Sequence, residues 1–462
     1  MKKRLVWISM LLVCVTMLTS CAGLLQVMPA PANANQVIRR MNTRVQSLGG
    51  YRIDVTGSFT AYADTTKIIG TLEGFAIEDQ GKDKDDYYYH MEMINKSQTG
   101  NGSQNVTVKS TEAYYDGYAY SFYSEGATWR KLCSPMTKNE FLDYIADDSL
   151  FEIKTDDCKN KELQKADDGY TVKYSGYSEA AISDFFDMMS FTKDMFGKMP
   201  SDLAVTIKTD KDYYPQSFTL ELVFEESKTS YYKPEFSMTM SYSQFDGVER
   251  QTKSLSPDKY KQIESLSLLK EVDRLINDRT EAKEGSFTTT TDATASILSQ
   301  SNKETQTYKV TFAREKDGLT FEADMTDKNG KEHISYANGE KTTEYSGKTH
   351  STKMTEDEAE QFIAHLINDP AMGYNPNYVS DIKKVDDGYE ITMEVSKDTV
   401  IGQIITSAGA KFSSGSHTVK ITVEDGKITT MRHTYRASGS LQIGFGQNAT
   451  LNYSGSTFVS FD

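Results

Sequence analysis

The feature that most limits how this 462-residue chain can fold is that its two halves echo one another in order. Met136-Thr137-Lys138-Asn139-Glu140 returns as Met354-Thr355-Glu356-Asp357-Glu358. Each is a capping box, in which the Thr accepts from the first helical turn and the Glu three residues on reaches back. Tyr144-Ile145 and Phe362-Ile363 then fall on the apolar stripe of a short helix. Met136 and Phe141 have the spacing of a hydrophobic staple. Further on, Lys165-Ala166-Asp167-Asp168-Gly169-Tyr170 returns as Lys384-Val385-Asp386-Asp387-Gly388-Tyr389, each a turn feeding a strand. The spacing between these two landmarks is kept to within one residue. Gly57-Ser58-Phe59-Thr60 and Gly285-Ser286-Phe287-Thr288 extend the echo upstream, with a drift in offset that a loop of different length would explain. An ordered series of this kind at a long period reads as a repeated structural unit, and the length exceeds one ordinary domain.

Each half opens on an amphipathic helix. In the first, Val37, Ile38, Met41, Val45 and Leu48 keep helical spacing and Gly49-Gly50 ends it. In the second, Ser256 is the expected N-cap with Pro257 at the first helical position, followed by the stripe Leu268, Leu269, Val272, Leu275 and Ile276. This places the boundary between residues 252 and 253. Between helices the chain alternates with period two. Tyr308, Val310 and Phe312 are one example, and Leu319, Phe321, Ala323 and Met325 another. Asp116-Gly117, Asn329-Gly330 and Asn338-Gly339 are hairpin signals. One apolar and one polar face per strand means a sheet covered on one side, and the helices are the available cover. The expected class is α+β, mainly β. Two tandem curved antiparallel sheets, or half-barrels, at 36–252 and 253–462 would each pack on a few helices.

The N-terminus carries a different message. Lys2, Lys3 and Arg4 precede an apolar run from Leu5 to Met17, too short to span a bilayer and of signal-peptide length. Leu18-Thr19-Ser20-Cys21 follows and resembles the lipobox of bacterial lipoprotein precursors. That resemblance implies cleavage between Ser20 and Cys21, diacylglycerol on the Cys21 thiol, and a lipidated tether over 21–35. The expected location is extracytoplasmic, anchored to the cell membrane, because two acyl chains at about 0.8 kcal/mol per buried CH₂ hold stably. The formal net charge is −15 and grows more negative once the basic leader is removed. Neither nucleic acid nor an anionic lipid surface is therefore an expected partner by charge.

The order of helix, strand meander, Asp-Gly hairpin with a following Trp (Tyr115-Asp116-Gly117 to Trp129), capped helix and second strand group resembles the LolA/LppX-like lipoprotein fold. In that family an open antiparallel half-barrel closes over helices and encloses an apolar cavity for lipid or acyl chains. The resemblance covers residues 36–462 in pattern, although the second half has no equivalent Trp. It implies a non-catalytic carrier of a lipid or other hydrophobic ligand.

Chemistry is otherwise scarce. The histidines, His90, His333, His350, His365, His417 and His433, have no metal-ligand spacing and read as surface or satisfied residues. No metal site or cofactor is expected, and no catalytic motif occurs. Asp79, Asp83, Asp85 and Asp86 read as a solvated acidic turn. Cys133 and Cys158 remain after the leader and Cys21 are set aside. They are either one disulfide or two thiols, since sequence cannot place two Cα atoms in bonding range. Glu179–Met199 reads as a helix apolar around much of its girth, with Ile182, Phe185, Phe186, Met189, Met195 and Phe196 as candidate lining of a ligand cavity. The same residues would equally plug the sheet, and Val400–Ile405 is the shorter counterpart. A second functional class is a surface module that binds glycan or protein through exposed tyrosines, among them Tyr87, Tyr88, Tyr89, Tyr114, Tyr115, Tyr118, Tyr120 and Tyr123.

Overall fold

The computed structural model describes residues 31–462 except 64–65, 82–85, 101–104, 127, 147–157, 189–195, 197, 226–232, 317, 370–372 and 444–446. The leader, Ser20 and Cys21 therefore lie outside the described residues, as do Asp83, Asp85, Met189 and Met195. The chain divides into two compact units. One runs to Gly126 and resumes over Cys133–Lys261, and the other comprises Ala127–Leu132 and Gln262–Asp462. Both are mainly β, and all of the described strand pairs quoted below are antiparallel.

The first sheet is built from β1 (Gly50–Ala63), β2 (Thr66–Asp79), β3 (Tyr88–Thr99), β4 (Asn105–Tyr115), β5 (Tyr118–Glu125), β6 (Thr128–Pro135), β7 (Cys158–Ala166), β8 (Gly169–Tyr177), β9 (Asp202–Asp210), β10 (Pro215–Val223) and β11 (Glu235–Ser243). A two-residue strand, β12 (Lys261–Gln262), lies beside β6 at one edge. The hydrogen-bonding order is β12-β6-β5-β4-β3-β2-β1-β11-β10-β9-β8-β7. Helix α1 (Ala34–Gln46) precedes β1, α2 (Lys138–Ala146) joins β6 to β7, and α3 (Glu179–Met188) joins β8 to β9.

The second sheet is built from β13 (Glu284–Ile297), β14 (Gln300–Glu315), β15 (Gly318–Asp327), β16 (Gly330–Ala337), β17 (Glu340–Tyr345), β18 (Lys348–Lys353), β19 (Val379–Val385), β20 (Gly388–Met393), β21 (Lys411–Glu424), β22 (Lys427–Gln442) and β23 (Asn448–Phe461). Its order is β18-β17-β16-β15-β14-β13-β23-β22-β21-β20-β19. Helices α4 (Ser267–Thr280), α5 (Glu356–Ile367) and α6 (Val400–Ser407) occupy the same places in the chain as α1, α2 and α3. In each sheet a six-strand meander and a five-strand meander meet where the first strand pairs with the last, and both sheets are open.

Local chemistry explains the landmarks. Glu140 N–H donates to the Thr137 hydroxyl, while Thr137 N–H donates back to the Glu140 carboxylate at 2.7 Å. Thr355 and Glu358 make the same reciprocal pair ahead of α5. At Gly169 a Cβ would stand 2.0 Å from the Thr209 carbonyl oxygen, and at Gly388 1.8 Å from that of Ile421. The neighbouring strand thus admits only glycine at this point in both Asp-Asp-Gly-Tyr turns. Asp116-Gly117 and Asn338-Gly339 have positive φ at both positions, as type I′ hairpins require.

Four expectations fail. The second-half helix begins at Ser267, not at Pro257. Ser256 makes no side-chain cap bond, Pro257–Lys259 is a single 3-10 turn, and the chain then extends through β12. The hairpin at Asn329-Gly330 turns on Lys328 and Asn329 instead, because Asp327 pairs with Gly330. The long helix expected over 179–199 does not reach its C-terminal end. Lys198–Pro200 are not helical, as expected where Pro200 pushes Met199 out of the α region. Last, the Gly57 and Gly285 echo is out of step. Followed through the pairings from Gly169 and Gly388, the ladder sets Val55 opposite Met240 and Thr291 opposite Thr457 at the same level. Gly57 therefore matches Ala293 and not Gly285.

Candidate functional site

The face of the first sheet that carries the alternating apolar set is formed by Leu203, Val205 and Ile207 on β9, Phe218, Leu220 and Leu222 on β10, and Phe236, Met238 and Met240 on β11, all buried. Helix α3 supplies its cover. Of the candidate lining residues, Ile182, Phe185, Phe186 and Phe196 are buried, and Met189 and Met195 are outside the described residues. Phe185 packs edge-on to Phe236 with ring centroids 6.4 Å apart. Phe186 meets Phe196 at 5.6 Å, and Phe196 stacks on Phe224 at 5.4 Å. The structure thus sets Phe185 against β11 and joins Phe186 and Phe196 to the segment after β10.

The equivalent face of the second unit is chemically different. Helix α6, capped by the Thr399 hydroxyl accepting from Gly402 N–H, sets Ile401 and Ile405 against Ala410, Tyr435 and Ala437. Gly439 lets it approach, since a Cβ there would stand 2.3 Å from an Ile405 methyl. The ladder then matches residue to residue. Val205 and Leu220 face each other in the first sheet where His417 and Tyr435 do in the second. Phe218 and Met240 face each other where His433 and Thr457 do, and Met238 matches Gly455. Tyr435 fits because its partner is glycine, whose Cβ would lie 2.5 Å from the Tyr435 ring.

The His417 and His433 rings lie 5.8 Å apart, and His417 meets Tyr435 edge-on at 6.2 Å. Tyr435 stacks on Tyr453 at 5.8 Å. Both histidines are buried. His417 Nε2 and both ring nitrogens of His433 have no hydrogen-bond partner among the described residues. Burial holds the His417 imidazole down to about 4 and that of His433 to about 3, the latter helped by its neighbour. Both are therefore neutral at physiological pH. The expectation that each histidine is exposed or satisfied fails at these two positions. Alternation marked both as inward-facing, but nothing local signals that no donor or acceptor among the described residues reaches these ring nitrogens. Among the described residues no cluster of three or more His, Cys, Asp or Glu could hold a metal.

The first unit also buries ionisable groups, and these are partnered. Tyr51 and Tyr87 hydroxyls donate to the Glu78 carboxylate at 2.6 and 3.4 Å, and the Gln80 amide donates at 2.6 Å. Burial raises the Glu78 carboxyl despite these donors. Ser121 and Tyr144 hydroxyls donate to Glu112 at 2.7 and 3.3 Å. Asp79 and Asp86 grip Arg250 at 2.7 and 2.5 Å, so these two ends of the acidic turn are engaged in ion pairs instead of merely solvated.

The tyrosines expected on the surface are core residues. Tyr87, Tyr88, Tyr89, Tyr114, Tyr120 and Tyr123 are buried, and Tyr115 and Tyr118 are half-buried. Successive strand residues point to opposite faces, so burial of both Tyr88 and Tyr89 in β3 means cover on both sides. The second cover is the segment after β11. Leu255 packs with Ile77, Tyr88, Ala113, Tyr120 and Cys133, with Val248 and Tyr260 beside them, and Gln251 N–H donates to the Tyr88 hydroxyl at 2.8 Å. The six buried rings are therefore not exposed for stacking on sugars. Cys133 and Cys158 are both buried and are not joined to one another. Cys133 sits in the cluster under Leu255, whereas Cys158 pairs with Tyr177 at the opposite end of the sheet's strand order. Trp129 is 60% exposed.

No protein-family model matches the chain, and no curated protein matches it. Among solved structures, a LolA-superfamily protein from Nitrosomonas europaea aligns at 6% identity and a TM-score of 0.16, covering 49% of this chain and 99% of its own. An AttH-type protein of the same organism aligns at 7% and 0.14, covering 95% and 99%. The translocator domain of the autotransporter NalP from Neisseria meningitidis aligns at 8% and 0.11, covering 93% and 95%. Scores of this size carry no argument, and the fold rests on the chain's own topology.

Proposed function

We propose that this protein is a non-catalytic, lipid-anchored extracytoplasmic carrier of a lipid or other hydrophobic ligand, built from two LolA/LppX-like half-barrels in tandem. The observation that carries the reading is the pairing, twice in one chain, of an open antiparallel sheet with helices laid on its apolar face. A sheet covered by short helices can exchange part of that cover for acyl chains at little cost, since lipid tails replace side-chain contacts of the same apolar kind. The Phe-rich α3 region is the place where such chains would enter the first unit, because aromatic and flexible side chains repack around irregular apolar partners. The anchor follows from the lipobox resemblance at Ser20-Cys21 and explains the location. The buried carboxylates are engaged by tyrosines in structural hydrogen bonds, which is why we read no acid–base role into them.

The experiment is native mass spectrometry of the chain beginning at Ala22, which carries every described element, purified without detergent and then mixed with phospholipid vesicles. A mass increase that organic extraction removes, with the lipid identified in the extract, supports the carrier. An unchanged protein mass before and after vesicle exposure overturns it.

A further inference from the structure

We propose that the second unit binds the uncharged polar group of an amphiphile (a hydroxyl, ester or amide) at His417, His433 and Tyr435, where the matching positions of the first unit carry hydrocarbon side chains. The proposal rests on the hydrophobic-ligand reading above and gives that ligand a polar end and an orientation.

The two units match ladder position by ladder position, so one serves as the control for the other. Where the first carries Val205, Phe218, Leu220 and Met240, the second carries His417, His433, Tyr435 and Thr457. No side chain of the first set can donate or accept a strong hydrogen bond, whereas every side chain of the second set can, the Tyr435 hydroxyl being already hydrogen-bonded to Tyr453 and Thr457. Whichever tautomer it adopts, a neutral imidazole has one N–H donor and one lone pair. His433 places both, and His417 places Nε2, in the interior with no partner among the described residues. Buried polar atoms are nearly always paired, because leaving one unpaired forfeits its hydration without return. Three such atoms on two touching rings are a standing requirement for a partner.

The surroundings define its class. Among the described residues, the electrostatic neighbours of these side chains are the His417 imidazole for His433, and Tyr453 and the Asp369 carboxylate for Tyr435, and none of them is a cation. A phosphate or carboxylate would enter without a counter-ion and is disfavoured by burial. A group with both donor and acceptor character and no charge meets the need. Position supports this, because α6 covers Tyr435 and Ala437 while the α4 residue Arg279 donates to the Ile428 carbonyl at 2.8 Å. His433 lies on β22 between those two anchor points, with apolar residues on either side in which chains would be seated.

The test uses the chain from Ala22 labelled with ¹⁵N-histidine, titrated separately with 1-monodecanoylglycerol and with decane. Native mass spectrometry gives affinities, and long-range ¹⁵N–¹H spectra report the ring nitrogens. The comparison protein is H417V/H433F, which installs the residues found at the same positions of the first unit. We expect 1-monodecanoylglycerol to move the ring nitrogens of two histidines. We further expect the variant to lose at least tenfold in its affinity while binding decane unchanged, tenfold being the worth of one buried hydrogen bond. Binding of 1-monodecanoylglycerol with all ring nitrogens unmoved, or with the same affinity in the variant, overturns the proposal and leaves the carrier reading standing. The spectra of the unmutated protein decide even if the variant fails to fold. Binding of neither probe overturns the carrier reading itself.

Discussion

Acidification should weaken the second unit through the same two histidines, and the effect is large enough to isolate. In the unfolded chain a histidine takes up its proton near pH 6.5. Folded, His417 is held to about 4 and His433 to about 3, in both cases first by burial. Below pH 6.5 the unfolded state therefore binds protons that the folded state refuses. Stability is complete above pH 6.5 and is lost as pH falls toward those folded values. At pH 5 each ring costs on the order of 2 kcal/mol, and the pair about 4 kcal/mol, against a total of about 5–15 kcal/mol for an ordinary domain. His90, held to about 4 by burial on the other face of the first sheet, adds its own slope there, and carboxylates add theirs everywhere. The decisive quantity is therefore a difference. Urea unfolding of the wild type and of H417V/H433F at pH 7.5 and pH 5.0, extrapolated linearly to water, should show the wild type losing about 4 kcal/mol more than the variant. Equal losses in the two proteins, to within about 1 kcal/mol, would refute the reasoning, since they would mean that the rings are protonated or hydrated when folded.

Other consequences are as direct. Gly388→Ala should destabilise by on the order of 3 kcal/mol, because its Cβ would lie 1.8 Å from the Ile421 carbonyl. Gly169→Ala should act alike in the first unit, and denaturant midpoints indistinguishable from wild type would contradict both. Arg314→Met should cost roughly 2–3 kcal/mol. It removes a two-pronged hold on Glu360 of α5 at 2.7 and 2.5 Å, together with donation to the carbonyls of Thr280 and Ala282 at the end of α4. Calorimetry should show the drop, and Arg314→Lys should not restore it, because an ammonium cannot reproduce the planar fork. A thiol reagent should leave the chain from Ala22 unmodified when folded and add two labels when it is unfolded without reductant. No label after unfolding would instead reveal a disulfide between Cys133 and Cys158.

What was legible in the sequence was what is decided locally. The capping boxes at Thr137 and Thr355 close within four residues, so spacing alone finds them, and the helical stripe from Leu268 to Ile276 is buried as its period requires. The Asp-Asp-Gly-Tyr turns were found as an echo, but their cause is tertiary, since glycine is demanded by a carbonyl on the next strand. The failures have the same origin. The Gly57 and Gly285 echo looked equivalent in four residues and is not, because strand equivalence is set by pairing and not by resemblance. The tyrosines of β3 to β5 looked exposed because period-two alternation identifies two faces without saying how many are covered. Here the segment from Val248 to Tyr260 covers the second.

The histidine pair shows where a repeated topology adds to what either half reveals. Taken alone, His417 and His433 are inward positions on two strands of a sheet, and a sequence reading assigns them to a satisfied core. Their meaning changes once the ladder fixes which residues of the other sheet they correspond to. Val205 and Phe218 show that these positions can be filled with hydrocarbon while the same sheet order is kept, so the fold does not need imidazoles there. Gly455 sharpens the point, since the second sheet gives up the side chain that Met238 supplies in the first and uses the space for the Tyr435 ring. A unit that sacrifices an apolar pair, admits a tyrosine beside two histidines and leaves three nitrogens unpaired is less stable for doing so. A polar partner that arrives from outside the chain offsets that cost, and an amphiphile oriented by its uncharged end is the partner whose chemistry fits.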